Sequence, residues 1–300
     1  MSILVLGANG MLGHKMFQRL LQRFPDTWCT VRGSAEEAAA LAPGLLDRNV
    51  IAQVDAMDWP TLAFLLGMRR PQFIVNCMGL IKQRAEAREA IPSITINSLL
   101  PHRLASWCER WNARLIHFST DCVFSGERGN YSEQDPSDAN DLYGKTKFLG
   151  EVSHGNALTL RTSIIGRELE RFESLLEWFL SQGRGPVQGY TRAWYSGVTT
   201  NYLADLVTRI IWQRPELRGL YQVTSPTISK FELLCRLRDA YQKDVEIVAD
   251  DSFFCDRSMQ GDQFVAATGY QCPLWPELLA ELIRDSTPYE KWRQHVREAV

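Results

Sequence analysis

A chain of 300 residues with 45% hydrophobic and 23% charged side chains can bury a sizeable core, which excludes disordered, collagen-like and low-complexity classes. With 33 basic against 35 acidic residues the formal net charge is −2, so no cationic excess marks nucleic acid or an anionic membrane as the main partner. No stretch reaches the roughly 18 apolar residues of a membrane span, and the N-terminal apolar run is too short for a secretory core.

In chain order, residues 3–6 read as a buried strand and 11–24 have helical spacing, with Leu12, Met16 and Leu20 beside Phe17, Leu21 and Phe24. Strands are predicted at 29–32 and 50–54, then a short helix at 59–66 with Pro60 in its first turn. A fourth strand at 73–77, a helix at 94–111, a fifth strand at 115–119, a helix at 142–152 and a strand at 158–161 follow. Strands apolar on both faces, alternating with helices, predict a Rossmann-type α/β fold, a doubly wound parallel sheet over residues 1–165. After Arg161 the rhythm changes: helices at 172–180, 200–212, 230–241 and 276–283 alternate with short strands at 220–223 and 245–248. Residues 166–300 are therefore expected to form a smaller α/β substrate lobe packed closely against the sheet.

The seven cysteines are scattered without a C-x-x-C pair, which points to reduced thiols and a cytoplasmic setting. The five histidines show no i, i+4 pairing, so no metal site is expected.

Between the first strand and first helix runs Gly7-Ala8-Asn9-Gly10-Met11-Leu12-Gly13. Glycines in that position permit a tight turn and close approach of backbone to a pyrophosphate, while the helix N-terminus offers free N–H groups to the anion. The end of the second strand reports on the ribose. An acidic residue there accepts from the 2′-hydroxyl of NAD, but this chain has Arg32, followed by Ser34, a pair suited to a 2′-phosphate. NADP(H) is therefore favoured, with NAD(H) left open. Asp55, just past the third strand, is placed to meet the adenine edge.

Tyr143 and Lys147 lie at i and i+4 of the helix after the fifth strand, one turn apart on one face. An unperturbed tyrosine, with a pKa near 10, is a poor proton shuttle at neutral pH. A fixed ammonium nearby is expected to lower that pKa. Ser119-Thr120-Asp121 ends the preceding strand, where a hydroxyl can polarise a substrate carbonyl.

These residues, with the segment Ser119-Thr-Asp-Cys-Val-Phe-Ser-Gly126, resemble an extended short-chain dehydrogenase/reductase, most closely the dTDP-4-dehydrorhamnose reductase-like branch that reduces nucleotide-linked 4-keto sugars. The likeness covers residues 1–165 and runs more loosely through 196–200 and 219–222. It implies that Thr120 and Tyr143 contact the carbonyl, that Lys147 binds the nicotinamide ribose, and that Asn97 is a helix-embedded support. It also implies that Cys77, Met78 and Gly79 border the cofactor and that the work belongs to polysaccharide precursor synthesis, with a homodimer an allowed assembly. Two departures bear on the sugar: Cys122 stands where the branch often has tyrosine, and the loop from Asn76 to Gln83 lacks the usual alanine-rich run. That loop resembles reductases of UDP-linked N-acetylated deoxyhexoses. Lys82 is then a candidate for a substrate phosphate, Asp121 and Cys122 for the sugar, and Arg192 and Trp194 for a wall built from residues 192–200. A 4,6-dehydratase is disfavoured because Asp121 is followed by Cys122 and not by glutamate. An epimerase of the same superfamily, or a catalytically silent regulatory subunit, remains as an alternative.

Overall fold

The computed structural model describes residues 1–81, 89–170 and 172–298. The first half comprises β1 (Ile3–Leu6), α1 (Met11–Arg23), β2 (Thr27–Thr30), α2 (Ala35–Leu41), β3 (Val50–Ile51), α3 (Trp59–Arg69), β4 (Phe73–Asn76), α4 (Ala90–Ser93), α5 (Leu100–Trp111), β5 (Arg114–Ser119), α6 (Leu142–Leu149) and β6 (Ala157–Arg161). The second comprises β7 (Ile164–Ile165), α7 (Leu175–Ser181), β8 (Val187–Tyr195), β9 (Val198–Thr199), α8 (Thr200–Gln213), β10 (Gly219–Gln222), β11 (Ile228–Ser229), α9 (Lys230–Ala240), β12 (Ile247–Asp256), α10 (Asp262–Thr268), α11 (Trp275–Ile283) and α12 (Tyr289–Glu298).

Seven strands form one parallel sheet in the order β10-β6-β5-β4-β1-β2-β3. Successive side chains of each strand enter opposite cores. Ile3, Val5, Val75, Ile116 and Phe118 pack with Met16, Phe17 and Leu20 of α1 and with Leu203, Leu206 and Val207 of α8. Leu4, Leu6, Ile74 and Leu115 pack with Leu62 and Leu66 of α3 and with Leu104, Trp107 and Cys108 of α5. Each fully buried Leu, Ile, Val or Phe contributes roughly 1.5–3 kcal/mol, so both faces need helical cover. The chain winds outward from β1 in one direction and from β4 in the other, which opens a crevice beyond their carboxyl ends.

The second half differs from its sequence reading. The predicted strand at 220–223 is β10, which joins the main sheet beside β6. The nine-residue β8, unpredicted, centres a separate three-stranded sheet in the order β11-β8-β12, and the strand predicted at 245–248 extends along it as β12. The C-terminal segment returns to α1. There the buried Lys15 donates to Asp285 (2.6 Å) and Thr287 (2.9 Å), and His14 is hydrogen bonded to the Tyr289 hydroxyl at 2.8 Å. Burial holds the His14 imidazole neutral, pushed down to about 4. Among the described residues no helix is long and apolar enough to cross a membrane.

Candidate active site

The glycine turn has the geometry its sequence implies. Gly7 adopts φ +81°, and a Cβ on Gly13 would lie 2.0 Å from the Gly7 carbonyl oxygen, so only glycines let α1 start this close to β1. Helix α1 begins after Gly10 with no side-chain cap, leaving first-turn N–H groups open to the crevice. Two cavities meet at this turn. One, of about 560 Å³, is lined by Gly7, Arg32, Ser34 and Asp55; the other, of about 390 Å³, by Met11, Leu12, Thr120, Tyr143 and Lys147. Asn9, Gly10, Cys77, Met78 and Gly79 line both, so the two form one elongated cleft across the helix N-terminus, of a shape and chemistry that fit a dinucleotide. Asn9 donates across it to Glu170 at 2.9 Å, a bond from the second half of the chain that the sequence reading missed.

At the adenosine end Arg32 is exposed and makes no hydrogen bond or ion pair to any described residue. Ser34 is committed to the helix: its hydroxyl accepts from the Glu37 N–H at 3.1 Å while its own N–H donates to Glu37 Oε2 at 2.8 Å. This reciprocal cap is legible as Ser34-x-x-Glu37. Asp55 accepts from the Met57 N–H at 2.8 Å and stays exposed in the cavity wall.

The reaction end is assembled by Asn97. The chain through α4 and α5 includes a π-helical stretch, Ile94–Leu99, a distortion that often accompanies functional sites. Asn97, within it and buried, accepts from the Leu80 N–H (2.9 Å) and donates to the Leu80 carbonyl (3.1 Å) and Thr146 Oγ1 (3.3 Å). It thereby ties the loop after β4 to the helix carrying Tyr143 and Lys147. Ser98 reinforces the joint by donating to the Thr146 carbonyl at 2.8 Å. Asp141 caps α6 by accepting from the Gly144 N–H at 2.9 Å.

Tyr143 and Thr120 both face the smaller cavity. Thr120 Oγ1 accepts from the Cys122 N–H at 3.2 Å and donates to Asp121 at 3.0 Å. Ser119 is not available as a carbonyl donor, because its hydroxyl donates to Glu151 at 2.6 Å, within the buried Glu151–Arg161 pair. The expected depression of the Tyr143 pKa by Lys147 is not what the folded chain displays. Burial raises the phenol well above its ordinary value, Cys122, Asp121 and Asp141 add to the rise, and Thr120 opposes it. Lys147 is buried and donates to the Phe118 carbonyl at 2.7 Å; burial lowers it to about 8, with Glu151 opposing.

The candidate wall requires correction. Side chains alternate along β8, so Arg192 and Trp194 are exposed on its outer surface, with the Arg192 guanidinium over Phe254, and neither lines the cavity. Their buried neighbour Tyr195, within the expected wall 192–200, does, together with Ser163, Glu168 and Lys230, which the sequence reading did not single out. Asp121 and Cys122 line it as expected, and Lys82 lies outside the described residues. Among the described residues no cluster of three His, Cys, Asp or Glu could hold a metal ion.

The parallel sheet, the glycine turn and the Thr120, Tyr143 and Lys147 constellation define an extended short-chain dehydrogenase/reductase. The family model for the RmlD substrate binding domain matches residues 1–252. This chain belongs to that family. It is 32% identical over 233 residues to a probable dTDP-4,6-dihydroxy-2-methyloxan-3-one 4-ketoreductase of Streptomyces antibioticus, covering 74% of this chain and 70% of that one. It is 26% identical over 256 residues to methionine adenosyltransferase 2 subunit beta of Mus musculus, covering 80% and 72%. In fold it resembles dTDP-4-dehydrorhamnose reductase of Bacillus anthracis str. Ames, solved in complex with NADP, with a TM-score of 0.77 at 20% identity over 95% of this chain and 99% of that one.

Proposed function

We propose that this protein is an NADPH-dependent reductase of a nucleotide-linked 4-keto-6-deoxy sugar, acting in the cytoplasm in polysaccharide precursor synthesis. The observation that carries the reading is that Thr120 and Tyr143 both face a cavity continuous with the dinucleotide cleft. The ketoreductase name of the 32% identical relative supports the same chemistry.

Asn9, Gly10, Met11, Leu12 and Gly13 would hold the cofactor pyrophosphate at the start of α1, with Gly7 in the turn behind them. Arg32 and Asp55 would hold the adenosine end, and Cys77, Met78 and Gly79 the cleft wall. A bound nicotinamide supplies the hydride. The chain supplies the proton and the orientation: Thr120 hydrogen bonds the ketone oxygen and Tyr143 protonates it. A phenol raised by burial is fully protonated at neutral pH, which is the form a reduction requires. The phenolate left behind is stabilised by the Lys147 ammonium one helical turn away and by Thr120. Asn97 positions both helix and loop for this step.

NADPH over NADH rests on Arg32, which lines the cleft wall with no partner among the described residues, whereas Ser34 serves chiefly as the cap of α2. Residues 166–300 would supply most of the nucleotide-sugar pocket, with Tyr195 and Lys230 in its wall. Following NADPH oxidation against dTDP-, UDP- and GDP-linked 4-keto-6-deoxy sugars tests the proposal; no turnover of any of them would refute it. A second reading, a non-catalytic subunit of another enzyme, is favoured by the likeness to methionine adenosyltransferase 2 subunit beta. It predicts retained nicotinamide binding with no turnover.

A further inference from the structure

Lys230 is a cation at the reaction end of the cavity that has no ion-pair partner among the described residues. It is the first residue of α9, placed by the Ser229 hydroxyl, which accepts from the Glu232 N–H at 3.1 Å. Its ammonium sits 3.7 Å from the centroid of the buried Tyr195 ring, and both residues line the cavity with Thr120, Asp121 and Cys122. The aromatic face holds the ammonium in place without neutralising it. Lys230 makes no hydrogen bond or ion pair to any described residue. Asp121, Cys122 and Cys255 act on it only at longer range, and burial lowers it to about 8. Lys147, the other cation lining the cavity among the described residues, is engaged by the Phe118 carbonyl.

We infer that Lys230 binds the diphosphate of the nucleotide-linked substrate. The inference rests on the reductase reading and goes beyond it by assigning the substrate's fixed negative charge to one residue. A partly desolvated ammonium is compensated by an anion at hydrogen-bond distance and poorly by neutral sugar hydroxyls. The cofactor pyrophosphate is served by the N–H groups at the start of α1, whereas Lys230 lies in the same cavity beside Tyr195, Thr120 and Asp121, which leaves the substrate's diphosphate as the anion for it.

The test is calorimetric titration of UDP and of dTDP into NADP⁺-saturated wild type, Lys230→Met and Lys230→Arg, with NADP⁺ affinity and thermal melting measured for each. Lys230→Met should weaken the better-bound nucleoside diphosphate roughly 10- to 100-fold, the range of one charge-assisted contact. Lys230→Arg should restore most of the loss. NADP⁺ affinity should not change, and Lys230→Met should melt no lower than wild type, since it removes a cation without a counter-ion and keeps the apolar stem. Undiminished nucleoside diphosphate binding by Lys230→Met would overturn the assignment, as would a lower melting temperature with unchanged affinity, which would make Lys230 a structural partner of Tyr195. Failure of wild type to bind either nucleoside diphosphate would take down the nucleotide-sugar reading as well as this inference.

Discussion

Asn97→Ala should uncouple the reaction end of the cleft from its support. The substitution removes three hydrogen bonds at once and strands the N–H and carbonyl of Leu80, itself a buried residue, while the Thr146 hydroxyl keeps its bond to the Tyr143 carbonyl. Each stranded buried group costs about 1–3 kcal/mol, so the two backbone groups together predict about 2–6 kcal/mol of destabilisation. At about 2–4 °C per kcal/mol this is a fall in melting temperature of roughly 4–24 °C, read by circular dichroism. Ketone reduction should fall further than stability alone explains, because the loop after β4 and the helix carrying Tyr143 lose their common tie. Asn97→Asp adds a directional control. A carboxylate still accepts from the Leu80 N–H but faces the Leu80 carbonyl with no donor, whereas the protonated acid restores one. The pKa of this buried acid is therefore raised in the fold, and the Asn97→Asp variant should recover stability relative to wild type as pH falls. An Asn97→Ala melting point within about 1 °C of wild type, or an Asn97→Asp deficit independent of pH, would refute the reasoning.

Tyr143→Phe, which removes only the hydroxyl, should lower kcat by roughly 10²–10⁴-fold in single-turnover NADPH oxidation while cofactor affinity holds; an unchanged rate would exclude Tyr143 as the acid. Thr120→Val removes a hydrogen bond and no proton, so its kcat loss should be the smaller of the two in the same assay. Arg32→Ala should cost roughly tenfold or more in NADPH affinity and little in NADH affinity by fluorescence titration, and an unchanged ratio would remove Arg32 from the 2′-phosphate. Lys147, lowered to about 8, is charged below that pH and loses its charge above it. Single-turnover reduction should accordingly decline as pH rises through about 8, and a flat profile to about pH 10 would show that its ammonium is not needed.

The parts of this protein legible from the chain are those whose geometry is local. A glycine turn running from Gly7 to Gly13 and a Tyr-x-x-x-Lys pair on one helical turn are specified by neighbours, so both appear where the spacing put them. The strands at the centre of the sheet were equally readable, because a strand buried on both faces is mostly apolar, whereas β2 begins two residues before the predicted 29–32 and β3 spans only two residues of the predicted 50–54. Ser34 carried a local signal too: the glutamate three residues on marks a helix cap, a competing use for the hydroxyl assigned to phosphate.

Folding decided whatever depends on two distant segments meeting. Which of Trp194 and Tyr195 enters the cavity is a question of strand parity, and parity is set by which face of β8 packs against the core. Asn97 acquires its role only when Leu80 and Thr146 reach it from opposite sides. Lys147 is steered by a carbonyl of the neighbouring strand, and the Tyr143 pKa answers first to burial, which spacing alone does not specify. The chemistry-bearing residue types were visible in one dimension, but their protonation and partners follow from desolvation and contact, which exist only in three.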